Sequence, residues 1–466
     1  MTRAVFSSSD GDTLAQQDAG RGTISPHAQQ RLGSTKPPGT LPVRAVNATE
    51  GFEVEPATRG TRPAPGKEAC MNAGASGAHR IRLLKFLPVF HAGGTEYQVW
   101  NLVRRLNRER FDIGFSCMKR SGSLVKEIER EGMRIDEYPL RHLYGFNTLR
   151  REIQFSRAMA GQRIHIMHSY NFYANAFAIP AARLARVPVV VASVRDLGVY
   201  LTPMQCRVHK MVCRLADRVI VNAEAIRNWL VEQGFPEHKI NVIRNGVDVA
   251  RFAAGDGAAV RREFGVPGEA PLVVMVARLN AKKGEDYFLE GAARVLDRCP
   301  GTHFLIVGES YTRGQDGRIV ADLAYIERLA QRARGLGIGA NVHFTGMRED
   351  IPDILAASSV SVLPSFSEGI SNTVLESMAA GVPVVATRVG GTPEIIHDGE
   401  DGIMIPPGNA EAIAEAVSRI IEDPSLAARL SAKGRGRAEE AFSLDAMVRH
   451  TQDLYLELLA SKGKLQ

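Results

Sequence analysis

The chain has 466 residues, 44% of them hydrophobic, and a formal net charge of +7. That length and apolar content allow about two to three domains with real cores. No apolar run approaches the ~18 residues of a transmembrane helix, and the N-terminus lacks the apolar segment of a signal peptide. The five cysteines, Cys70, Cys117, Cys206, Cys213 and Cys299, are scattered without metal-ligand spacing to histidines. Reduced thiols in a cytoplasmic protein are expected.

Residues 1–76 are rich in Ser, Gly, Pro, Thr and Ala and show neither helical nor strand periodicity. A disordered head is expected there. From Ile81 the pattern alternates. Strands are expected over 81–90, 112–118, 164–168, 187–194, 218–222 and around 241–243. Helices fall at 97–106, 123–131, after 168 up to Ala185, and 204–215. Such alternation predicts a parallel sheet covered on both faces. A Gly/Ala-rich stretch from Ala253 to Ala259 marks a junction, so a first domain is placed at 77–252. A second alternating series at 253–440 has strands over 272–276, 302–307, 341–345, 360–363, 384–387 and 402–405. The final segment, 441–466, holds a helix over about 444–460 that is expected to pack back towards the first domain. The predicted fold is therefore α/β, with two Rossmann-like domains facing across a cleft at the carboxyl ends of their strands.

Charge divides unevenly between the halves. Residues 75–250 hold 27 Lys and Arg against 15 Asp and Glu, whereas 251–466 hold 23 against 29. A basic first half suits an anionic partner, such as a membrane surface, a lipid-linked phosphate or nucleic acid. Ordinary arginine-rich surface is the plainer reading.

The most informative stretch runs from Pro364 to Glu376. An apolar strand, Val360 to Leu363, is followed by a Ser/Gly/Asn turn and then a helix over 373–380 that stops at Gly381. This unit aims free backbone N–H groups at whatever lies above the strand end, and such a position attracts phosphate. Two carboxylates, Glu368 and Glu376, flank it. Carboxylates repel phosphate but accept from hydroxyls, so one sugar on each side of a phosphate group fits the pattern.

Several motifs occur in order: Gly93-Gly94-Thr95-Glu96, Asn245-Gly246-Val247-Asp248, Ala277-Arg278-Leu279 with Lys283-Gly284, the Glu368/Glu376 pair, and Val389-Gly390-Gly391-Thr392-Pro393-Glu394. Over roughly 80–461 the chain resembles the retaining nucleotide-sugar glycosyltransferases of family 4 (group 1), which have the GT-B fold. The likeness is strongest in the C-terminal half. It implies a nucleoside diphosphate sugar as donor, no metal and no separate cofactor. Arg278 and Lys283 would hold the diphosphate. Glu368 would meet sugar hydroxyls, and Glu376 the ribose diol. Gly369, Ile370 and Ser371 would lend backbone N–H groups to the leaving phosphate or the sugar, and Gly93 and Gly94 would let the backbone approach the diphosphate from the opposite wall. His168, read as the end of the strand 164–168, would stand near the reacting sugar carbon. Met347 falls in a turn expected to face the base. Catalytic roles are thus expected for Glu368, His168, Arg278 and Lys283.

Arg195 and Asp196 either reach the cleft or form a loop ion pair; the sequence leaves both open. One departure is clear: after Gly308 the family shows a short turn, whereas here Glu309 to Gln315 and more precede the helix. The acceptor would sit on the basic first domain as a lipid-linked or saccharide hydroxyl, at the inner face of the cytoplasmic membrane, with no nucleic-acid partner. A non-catalytic anion- or membrane-binding scaffold and a sugar-nucleotide epimerase stand as alternatives. A nicotinamide oxidoreductase does not, since G-x-G-x-x-G after a first strand is absent.

Overall fold

The computed structural model describes residues 80–91, 93–140, 143, 145–199, 201–313 and 319–464. The expected head at 1–76 lies outside the described residues.

Two parallel sheets form the core. The first contains β1 (Ile81–Leu87), β2 (Phe111–Cys117), β3 (Ile135–Glu137), β4 (Ile166–Tyr170), β5 (Val189–Val194), β6 (Arg218–Val221) and β7 (Ile240–Val242), in the order β3-β2-β1-β4-β5-β6-β7. The second uses β8 (Leu272–Val276) and β9 (His303–Val307). After them come the hairpin strands β10 (Tyr311–Arg313) and β11 (Ile319–Ala321), which pair only with each other. Then β12 (Val342–Gly346), β13 (Val360–Leu363), β14 (Val384–Thr387) and β15 (Ile403–Ile405) complete the order β12-β9-β8-β13-β14-β15. Continuous apolar strands such as Val189–Val194 are buried on both faces because helices cover both sides of each sheet. Each sheet reverses its strand order once, at β1/β4 and at β8/β13. Loops leaving those strands diverge there and open a crevice.

The chain returns to the first sheet at its end. Val247 N donates to Phe442 O (2.8 Å), and Leu444 N donates back to Val247 O (3.2 Å). Gly246 permits this crossing, since a Cβ there would lie 2.6 Å from Leu444 Cα. The helix Leu444–Ser461 then lays Leu454, Tyr455, Leu458 and Leu459 against Leu83, Ile166, Val189 and Val191 of the first sheet. Among the described residues, no helix is long and apolar enough to cross a membrane.

The structure departs from the sequence-based expectation in several places, among them the first strand, which ends at Leu87 and not at 90, and a helix over Glu224–Glu232. A helix, Phe146–Gly161, and the short β3 occupy a stretch where no element was expected. β4 runs two residues further than 164–168 and ends at Tyr170. The long segment after Gly308 folds as the β10–β11 hairpin.

Candidate functional site

Between the facing strand ends lies a cleft of about 560 Å³. Gly93 and Gly94 line it from the first sheet's side. Arg278, Lys283, Met347, Glu368, Gly369, Ile370, Ser371 and Glu376 line it from the second.

The second-domain wall is built locally. Glu285 opens the helix Glu285–Arg298 with its side chain buried. Its carboxylate reaches back to accept from Asn280 N (2.6 Å) and from the Tyr325 hydroxyl (3.2 Å). Asn280 Oδ1 in turn accepts from Lys282 N (3.1 Å). Gly284 has φ +80°, and a Cβ there would meet Pro364 O at 2.2 Å, so only glycine lets this loop lie against the β13 exit. The loop thereby delivers Lys283 to Glu368, Nζ to Oε1 2.6 Å. Ser371 caps the helix Asn372–Ala379 by accepting from Val374 N (3.4 Å). The N–H groups of Gly369, Ile370 and Ser371 donate to no group among the described residues. They stand at the positive end of that helix and are available to an anion.

Glu376 is half-buried one turn into the same helix. Burial pushes its carboxyl up to about 7, against a smaller downward pull from the Arg251 charge. Across the cleft, Gly93 leaves the space that a side chain would fill: a Cβ there would lie 2.4 Å from Glu96 Oε2 and 2.9 Å from Arg278 Nη2.

The two walls are tied at the cleft floor. Asn372 Oδ1 accepts from Asn245 Nδ2 (2.7 Å) and Gln98 Nε2 (3.2 Å), while Asn372 Nδ2 donates to Gly94 O (3.0 Å). Gln98 also brackets Gly246, donating to its O (2.8 Å) and accepting from its N (3.1 Å). Glu394, from the Gly390-Gly391 motif, accepts from the N–H groups of Glu224 and Ala225 (2.9 Å each) at the start of the helix Glu224–Glu232. A carboxylate from one sheet thus caps a helix of the other. Sequence reasoning missed Gln98 and Asn372 and gave Glu394 no role. Their partners are over a hundred residues away, so no local signal marks them.

His168 does not reach the cleft, which corrects the expectation for it. It lies in the middle of β4, not at its end, and its ring is buried under the helix Leu444–Ser461. Nδ1 lies 2.5 Å from the Tyr455 hydroxyl and 3.2 Å from Lys85 Nζ, and Nε2 lies 2.8 Å from Ser193 Oγ. Burial pushes its pKa well below the ordinary histidine value, and the charges of Lys85 and Arg195 push the same way. Neutral imidazole in a hydrogen-bonded core cluster is a structural arrangement.

The hairpin after Gly308 brings two further side chains to the cleft, Glu309 and Tyr311. Gly308 donates to Gly346 O (2.9 Å), which joins this loop to the Met347 turn as one wall.

Two facing parallel sheets with the site at their shared carboxyl rim define a GT-B protein. The profile described as Glycosyltransferase Family 4 matches residues 92–251, and that described as Glycosyl transferases group 1 matches 270–423. The chain belongs to this glycosyltransferase family. The lipopolysaccharide core biosynthesis glycosyltransferase LpsE of Rhizobium meliloti (strain 1021) is 33% identical over 249 residues, which are 53% of this chain and 66% of that protein. An Escherichia coli protein, UDP-Gal:alpha-D-GlcNAc-diphosphoundecaprenol alpha-1,3-galactosyltransferase, is 27% identical over 370 residues, 77% of this chain and 92% of its own. Among solved structures, Anabaena HepE in complex with UDP and glucose shares the fold, with a TM-score of 0.71 at 20% identity, covering 81% of this chain and 100% of that one.

Proposed function

We propose that the protein moves a hexosyl unit from a nucleoside diphosphate sugar to a hydroxyl of a lipid-linked or saccharide acceptor, retaining the anomeric configuration and needing no metal. The observation that carries this reading is the gathering of Arg278, the Lys283–Glu368 pair, Glu376 and the amino end of the helix Asn372–Ala379 in one cleft. A diphosphate bound there would find two cations and three free N–H groups where negative charge develops as it leaves. Glu368 precedes that helix start and Glu376 lies one turn into it; Glu368 would accept from sugar hydroxyls and Glu376 from the ribose diol.

Transfer breaks the bond between the anomeric carbon and the diphosphate oxygen and forms one to the acceptor oxygen. The leaving phosphate oxygen takes the acceptor proton on the same face, through an oxocarbenium-like state. Closure of the two walls, held by Asn372 and Glu394, keeps water from competing. The relatives' names point to lipopolysaccharide and diphosphoundecaprenol-linked acceptors, and UDP in HepE points to a nucleotide donor.

Peripheral contact with an anionic membrane at the cytoplasmic face belongs to the same reading. Phe146, Leu149, Tyr173 and Met204 are exposed apolar side chains in the first turns of three first-domain helices, with Arg150 and Arg207 exposed beside them.

The test is a transfer assay with EDTA present, across UDP- and GDP-sugars, with the anomeric configuration of the product read by NMR. Activity with an unchanged configuration supports the proposal. An inverted product, or activity restored only by a divalent cation, overturns it. Glu368→Gln and Arg278→Ala are each expected to lower turnover by about 100-fold or more.

A further inference from the structure

Resting on the reading above, we infer that Arg195 and Asn222 form an anion-and-hydroxyl site for the acceptor, which takes a phosphoryl group carried by the acceptor itself. Arg195 follows β5 and lines the cleft from the first-domain wall. Among the described residues its guanidinium meets no carboxylate. Nη1 donates to Asn245 Oδ1 (2.7 Å), Cζ lies 5.8 Å from the Tyr170 ring centroid, and Nε is buried without a partner. Its sequence neighbour Asp196 does not pair with it, because Asp196 Oδ1 accepts from Gly198 N (2.8 Å) in its own turn. A buried guanidinium edge without an acceptor is costly unless a ligand supplies one.

Asn222, which follows β6, also lines the cleft. It is 3% exposed, and its Oδ1 has no partner among the described residues. The two orphaned groups are complementary, one a donor for an anionic oxygen and one an acceptor for a hydroxyl. A phosphorylated sugar, or a sugar on a phosphate-linked lipid, carries both.

No acid competes for Arg195 from the core side. Lys85 and His168, buried beyond the Tyr170 ring, bond to each other and to tyrosine and serine hydroxyls, not to acids. Arg195 is held in place from its backbone: its N–H donates to Asn171 Oδ1 (3.0 Å), and Asn171 adopts φ +63° directly after β4 to provide that contact. The second domain closes onto the same residue, since a Cβ on Gly369 would lie 2.8 Å from Arg195 O. Arg195 therefore sits beside the Glu368–Gly369 loop but on the opposite wall from Arg278 and Lys283. The donor diphosphate has its own cations on the second domain, and Arg195 serves the other substrate.

The experiment uses the full chain saturated with UDP, or with GDP if that binds instead, and follows the 31P line width of methyl phosphate. Wild type is expected to broaden the line. Arg195→Gln should abolish the broadening while the nucleotide dissociation constant stays within about threefold. Arg195→Lys, which keeps the charge and guards against misfolding of the first variant, should weaken methyl phosphate binding without abolishing it. A parallel competition arm sets glucose 6-phosphate against undecaprenyl phosphate in detergent micelles, and displacement of methyl phosphate by one alone identifies a saccharide or a lipid source. No broadening in wild type, equal broadening in wild type and both variants, or a loss of nucleotide affinity in Arg195→Lys matching its loss of phosphate binding would each overturn the inference. Failure of either nucleotide to bind wild type would instead overturn the donor reading on which it rests.

Discussion

Lys283 Nζ lies 2.6 Å from Glu368 Oε1, across a gap of 85 residues, at the point where the β8 and β13 loops meet. Both side chains are mostly buried, at 24% and 10% exposed. Each neutralises the other in the absence of donor. In the proposed reaction, donor binding would give Lys283 phosphate oxygens and Glu368 sugar hydroxyls, and the pair would hold both groups in register for the substrate. Lys283→Met is expected to lower kcat by about 100- to 1,000-fold, because the lost charge acts where the diphosphate departs. Steady-state kinetics with the donor varied checks this; a change confined to KM would mean that Lys283 serves ground-state binding only.

The tie at Asn372 predicts a different phenotype. Asn372→Ala removes one acceptor from Gln98 and Asn245 and one donor from Gly94 O. Leaving these groups unsatisfied is expected to cost about 1–3 kcal/mol of stability. Urea unfolding measures that cost. Small-angle scattering should show a larger radius of gyration for the variant without ligand, converging on wild type when nucleotide is added.

The proposed role of Glu376 predicts pH-dependent donor binding. Burial pushes its carboxyl up to about 7, and ribose hydroxyls donate only to an acceptor, which favours the ionised form. Nucleotide affinity should therefore rise with pH through about 7, with proton release on binding, and Glu376→Gln should flatten the profile. Folding stability runs the opposite way. Because the folded pKa lies above the unfolded value of 4.5, the native state holds the proton more tightly, and this contribution is lost as pH rises from 4.5 through about 7. Calorimetric titration and thermal unfolding over that window, wild type against Glu376→Gln, check the two signs.

The exposed apolar side chains at the first-domain rim predict lipid binding. Phe146→Ser together with Leu149→Ser should lower partitioning to vesicles containing anionic lipid by about tenfold or more. Transfer to a soluble acceptor should remain unchanged. Flotation of wild type and variant with such vesicles decides it, and equal partitioning of the two would contradict the assignment.

The second-domain half of the site is legible in the sequence because its residues sit in short strand–turn–helix units, where Arg278 and Lys283, or Glu368 and Glu376, are placed by local geometry. The first-domain half is not. His168 looked like a strand-end residue because the apolar residues Ile164, Ile166 and Met167 stop before it, yet β4 continues through Ser169 and Tyr170 beneath a helix nearly three hundred residues away. Burial of a histidine by Tyr455 leaves no trace in the residues around it. The bridging roles of Gln98, Asn372 and Glu394 were missed for the same reason: a side-chain amide or carboxylate that joins two domains carries no spacing. The helix Phe146–Gly161 went unseen because its first turn presents Phe146 and Leu149 to solvent, which blurs the helical apolar period.

Calorimetric titration of UDP and GDP into wild type and into the Arg278→Ala/Lys283→Ala double variant tests the central claim most directly. One of the two nucleotides should bind wild type with about one-to-one stoichiometry, and the double variant should lose about 100-fold or more in affinity while keeping its melting temperature. Equal affinity in wild type and variant would place the diphosphate elsewhere and contradict the account.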